Sequence, residues 1–118
     1  LQDQIDQVGL NITLTDMCAL WTVDYRKGGW QKAHRHSDQT VNKITAVCYL
    51  TDPDEDLSTW HGGTFAFLYD GLGNTHDLCY KPGKGDVLIM KSTVIHGSYP
   101  TRQSKRVFVV DYMYEEKK

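Results

Sequence analysis

The sequence predicts an all-β fold, a sandwich or barrel of short strands, from three observations. Segments rich in Val, Ile, Thr, Tyr and Phe recur along the chain. Clusters of Gly, Pro, Asp and Asn punctuate them about every 8–12 residues. After Gly9 no apolar stretch keeps helical spacing long enough to provide the crossover helices of a parallel sheet.

The first element is the exception. Leu1, Ile5 and Val8 share one helical face and Gly9 stops the pattern, which predicts a short N-terminal helix. Strands are then expected at 19–25, 44–50, 64–69, 87–90 and 106–114, with shorter ones at 31–36, 77–80 and 93–96. The turns between them are Lys27-Gly28-Gly29, Asp52-Pro53-Asp54, His61-Gly62-Gly63, the stretch 70–74 and the stretch 81–86.

A chain of 118 residues, 40% apolar and 24% charged, is expected to form one domain spanning 1–118. Its net charge of −2 provides no positive field for nucleic acid. Neither a membrane-length apolar run nor a charged-then-apolar leader is present, so no membrane partner or export signal is expected. Cys18, Cys48 and Cys79 are odd in number and lack the C-x-x-C spacing of a zinc or disulfide framework. A reducing, cytoplasmic location is the expectation.

The chemistry concentrates in His34-Arg35-His36-Ser37-Asp38. On a strand, residues i, i+2 and i+4 share a face, so His34, His36 and Asp38 can all point one way. Two imidazoles and a carboxylate on one face suit non-haem Fe(II), which needs open positions opposite. A further ligand must come from elsewhere, and His96, after the apolar run 87–90, is the strongest candidate. Paired histidines in a polar segment are also often merely solvated, so the surrounding residues carry the weight.

Those residues resemble a known family. From Tyr25 onward the sequence is similar to the 2-oxoglutarate- and Fe(II)-dependent oxygenases, in the branch of the prolyl 4-hydroxylases and short phage-type relatives. The resemblance rests on Tyr25-Arg-Lys-Gly28, His36-Ser-Asp38, Tyr49-Leu50, Gly62-Gly63, Pro82-Gly-Lys-Gly85-Asp86, His96-Gly-Ser-Tyr-Pro100 and Arg106. It implies a double-stranded β-helix (a jelly roll, or cupin-like barrel). The activity implied is oxidative decarboxylation of 2-oxoglutarate coupled to hydroxylation of a substrate C–H bond, with a prolyl residue as one candidate. Fe(II), 2-oxoglutarate and O₂ are the implied cofactor and cosubstrates, and a small molecule or peptide the substrate.

By the same resemblance, His36, Asp38 and His96 hold the metal, while Arg106 takes the distal carboxylate of 2-oxoglutarate. Tyr25 and Tyr49 donate hydrogen bonds to that cosubstrate. Arg106 is preferred to Lys105 because a planar guanidinium grips a carboxylate with two prongs, and alternation lets only one of them face inward. One departure stands out. The family's usual spacing from the tyrosine is nine residues, which leads from Tyr25 to His34 and leaves His36 in the carboxylate slot. The completed His-x-Asp motif favours His36 and Asp38, with His34 as the alternative first ligand.

A cupin-like metal-binding domain that does not use 2-oxoglutarate is the competing reading. Gly28, five residues, then His34-Arg-His36 fits the first cupin motif, although the glutamate expected after it is missing. A structural jelly roll with incidental histidines is the third.

Overall fold

A computed structural model describes residues 1–36, 42–51, 61–69, 72 and 74–117. Helix α1 spans Gln2–Gln7. The strands are β1 (Ile12–Tyr25), β2 (Gln31–His34), β3 (Lys43–Tyr49), β4 (Thr64–Tyr69), β5 (Thr75–Tyr80), β6 (Val87–Lys91), β7 (Ile95–Ser98) and β8 (Lys105–Glu116). The expected turn at Asp52-Pro53-Asp54 and most of that at 70–74 lie outside the described residues.

The strands form two four-stranded sheets, ordered β1-β8-β3-β6 and β2-β7-β4-β5, with antiparallel neighbours throughout. Apart from the β4–β5 hairpin, successive strands lie in opposite sheets, which winds the chain as a double-stranded β-helix. The all-β expectation holds.

Two elements differ from the sequence reading in ways that matter for the site. Strand β1 begins at Ile12, seven residues before the expected Ala19. The alternation of Ile12 and Leu14 is interrupted by Asp16, and register shifts between Leu14 and Ala19 absorb the break against β8. The strand expected at 93–96 runs instead over Ile95–Ser98, because residues 92–94 form a turn closed by Val94 N–H donating to the Lys91 carbonyl at 3.0 Å. His96 therefore sits within a strand, paired on both sides.

Both faces of the β1-β8-β3-β6 sheet carry apolar residues, the outer one covered in part by α1. Val47, Tyr49, Val107 and Val109 face inward and pack with Tyr25, Val23, Leu88 and Met90. Ile44, Tyr112, Tyr114 and Ile89 face outward and pack beneath α1 through Ile5, which is fully buried. A helix of six residues has too few turns to persist alone, so Ile5 holds it in place. This two-sided burial explains why β3, β6 and β8 read as near-continuous apolar runs.

Candidate metal centre

The inner face of the second sheet carries the histidines. His34 ends β2 and is the cross-strand partner of His96 on β7, which also pairs with Ala66 of β4. His36 lies two residues past His34, just beyond the strand. Its backbone N–H donates to the Ser92 carbonyl at 2.9 Å, which ties it to the turn before β7. Ring centroids are 4.4 Å apart for His34 and His96, 5.1 Å for His36 and His96, and 5.3 Å for His34 and His36. One ligand nitrogen from each of the three lies within 4.8 Å of the others.

Hydrogen bonding settles which nitrogens are offered. His34 Nδ1 lies 2.9 Å from the Lys32 carbonyl, and His96 Nδ1 lies 3.0 Å from the Val94 carbonyl. His36 Nδ1 lies 3.0 and 3.2 Å from the two carboxylate oxygens of Asp111. Carbonyl and carboxylate oxygens only accept, so in the neutral rings each Nδ1 carries the proton and each Nε2 presents a lone pair. Burial pushes the His96 imidazole below its ordinary pKa, keeping it a ligand rather than a cation, although the Val94 carbonyl opposes that shift.

This donor set fits a divalent first-row transition metal, for which neutral imidazole is the commonest protein ligand. Asp38 lies outside the described residues, so the group the structure brings together is His34, His36 and His96. His34, the alternative first ligand on sequence grounds, is part of it.

The histidines open onto a cleft between the sheets, lined also by Tyr25, Tyr49, Gln31, Thr64 and Ser98. The cleft is narrow and open to solvent on one side. The Tyr25 hydroxyl donates to Gln31 Oε1 at 2.9 Å. Burial pushes the Tyr49 hydroxyl up to about 12, so it remains a protonated donor near neutral pH. Both tyrosines expected at the site are there.

Arg106 is not. Its side chain is 60% exposed, and its Nε donates to Asp24 Oδ1 at 2.6 Å on the outer surface of the first sheet. The register of β8 turns Lys105, Val107, Val109 and Asp111 inward, and Arg106 is therefore turned out. Lys105 is the buried cation. Its ammonium lies 4.9 Å from the Tyr25 ring centroid and 5.6 Å from that of Tyr49, and donates to the Gly62 carbonyl at 3.2 Å.

Asp111 was not foreseen as part of the site. A carboxylate inside the apolar run Val109-Val110-Asp111-Tyr112 is a signal of a buried, partnered charge, but the sequence does not name the partner.

Comparison with solved structures yields the same architecture at low sequence identity. The chain is similar to a prolyl 4-hydroxylase from Pseudomonas putida, with a TM-score of 0.63 and 22% identity over 100% of this chain. It is also similar to a prolyl hydroxylase from Trichoplax adhaerens, solved with a hypoxia-inducible-factor peptide, at a TM-score of 0.64 and 14% identity over 95% of this chain. A third is the non-haem monooxygenase ThoJ in a nickel complex, at 0.58 and 15% over 98% of this chain. What they share with this chain is the double-stranded β-helix. The chain spans 62%, 52% and 51% of those three proteins respectively. No protein-family model matches the sequence, and no curated protein matches it. Among the described residues, no helix is long and apolar enough to cross a membrane.

Proposed function

We propose that this domain is a non-haem Fe(II) oxygenase that decarboxylates 2-oxoglutarate and hydroxylates a substrate C–H bond, with His34, His36 and His96 as the metal ligands. The observation that carries this reading is the convergence of three imidazole lone pairs in a jelly-roll cleft. The fold shared with prolyl hydroxylases supports it.

When bound, Fe(II) would provide the redox chemistry with O₂ and the 2-oxo acid. The residues of the chain do the rest. His34, His36 and His96 hold the ion as neutral donors and leave its dipositive charge uncancelled, which favours a dianionic cosubstrate. Lys105, in place of the expected Arg106, receives the distal carboxylate as a buried point charge. Tyr25 and Tyr49 flank that ammonium and offer hydroxyl donors. Prolyl hydroxylation is the substrate reading that the similar structures suggest.

The cupin-like reading keeps one observation in its favour, namely that His34 and not a described carboxylate completes the group. An anaerobic titration with Fe(II), then 2-oxoglutarate, followed by O₂, separates the two. The oxygenase reading expects a visible charge-transfer band on adding 2-oxoglutarate, and succinate once O₂ is admitted. Tight Fe(II) binding with neither band nor succinate would establish the cupin reading instead, and failure to bind Fe(II) would remove both.

A further inference from the structure

Asp111 has more partners than packing requires. It is 4% exposed, and Thr45 and Ser92 beside it are 0% and 1% exposed. Thr45 Oγ1 donates to Asp111 Oδ1 at 2.5 Å, because the carboxylate can only accept. Thr45 Oγ1 also lies 2.8 Å from Ser92 Oγ. With its own hydrogen committed to Asp111, Thr45 must accept there, so Ser92 donates. The hydroxyl chain thus runs one way, Ser92 to Thr45 to Asp111, and ends on the carboxylate that holds His36 Nδ1–H.

The three histidines are not equivalent in this respect. His34 and His96 give their Nδ1–H to neutral carbonyls two residues earlier in the chain. His36 gives its own to a buried carboxylate, with both oxygens in reach. A charged acceptor makes the opposite nitrogen a stronger donor than a carbonyl does and fixes the ring's tautomer and orientation. A set of three imidazoles contributes no negative charge of its own.

We infer that Asp111 is a positioning residue of the metal centre, supplying through His36 the negative charge that the three-histidine set lacks. This rests on the three-histidine reading given above. The hydroxyl chain keeps the carboxylate satisfied in the interior, where a bare charge would be costly. Asp111 then acts on the metal without touching it, and the side of the ion away from the histidines stays free for other ligands.

The test is to add Co(II) alone to the metal-free full chain, with calorimetry for affinity and ligand-field absorption for occupancy. Nitrogen-15 NMR of the metal-free protein reports the His36 tautomer. Asp111→Asn keeps the shape but removes the charge, and it should weaken Co(II) binding about 10- to 100-fold. Thr45→Val removes a donor from Asp111 but leaves the charge on His36, and should hold Co(II) close to wild type while unfolding at a lower temperature. Wild-type His36 should be found as the Nδ1–H tautomer. A folded Asp111→Asn protein with wild-type Co(II) affinity would overturn the inference, as would equal weakening by both variants. If the Asn variant does not fold, the wild-type tautomer decides, and an Nε2–H ring at His36 rejects the role. Wild-type protein that binds no Co(II) refutes the metal reading itself, a result distinct from any of these.

Discussion

The inward row of β8 carries a cation near one end and an anion towards the other, and the two are kept in different company. Asp111 is enclosed by donors, with Thr45 and His36 directing hydrogens at its oxygens. Lys105 lies against the faces of two tyrosine rings and a backbone carbonyl. The Asp111 end has the form of a finished polar network, in which each group is oriented by the next. The Lys105 end is the one proposed above to meet the distal carboxylate of 2-oxoglutarate, with two tyrosine rings beside the ammonium. Between them, Val107 and Val109 belong to the apolar core. In the proposed function, one strand thus separates the residue that positions a metal ligand from the residue that meets the cosubstrate.

The comparison can be broken by substitution at either end. The largest functional effect is expected for Lys105→Ala, which should raise the Michaelis constant for 2-oxoglutarate by the equivalent of about 2–5 kcal/mol. Iron content should be unchanged, and succinate-release kinetics with metal analysis check both. The Asp111 end should answer in stability as well. Asp111→Ala leaves the His36 Nδ1–H without its acceptor in the interior, at about 1–3 kcal/mol, while Thr45 keeps Ser92 as a partner. Thermal unfolding of the metal-free protein measures that loss, and a stability equal to wild type would mean that the network is not closed.

Gly97→Ala probes the scaffold that joins the ligands. A Cβ there would stand 2.5 Å from Phe65 Cζ and 2.8 Å from the Gln31 backbone oxygen. The phenyl ring can move, whereas the β2 backbone cannot without drawing His34 away from His96. A loss of about 1–3 kcal/mol is expected, as for other overpacked positions. Metal affinity should fall with it, and calorimetry on the folded fraction tests that coupling. The smallest effect belongs to Arg106→Ala. An ion pair with Asp24 this exposed is screened by water and contributes little to stability, and the Michaelis constant for 2-oxoglutarate should not move.

Much of this was legible in the sequence, and the reasons differ by residue. Alternating Val, Ile, Thr and Tyr between Gly- and Pro-rich turns fixed the fold class, because strands bury side chains on a two-residue period. The histidines at 34 and 36 share a face by the same rule, and His96 follows the strand that the apolar run at 87–90 announces. The choice between Lys105 and Arg106 was not legible. In Val107-Phe108-Val109-Val110 both faces are apolar, so periodicity does not say which face looks inward. Only the pairing of β8 with β1 and β3 settles it. Asp111 was hidden for a related reason. Its partner His36 is 75 residues away in sequence, and contacts at that separation leave no local trace. The early start of β1 was obscured by the irregular pairing between Leu14 and Ala19.

The central claim is that His34, His36 and His96 together hold the metal. The most direct measurement is the anaerobic Fe(II) affinity of His34→Ala beside that of Asp38→Ala, each against wild type and each shown to be folded. The three-histidine account predicts that His34→Ala loses stoichiometric iron while Asp38→Ala retains it with an affinity close to wild type. Retention of iron by His34→Ala together with its loss from Asp38→Ala would contradict the account and return the site to His36, Asp38 and His96.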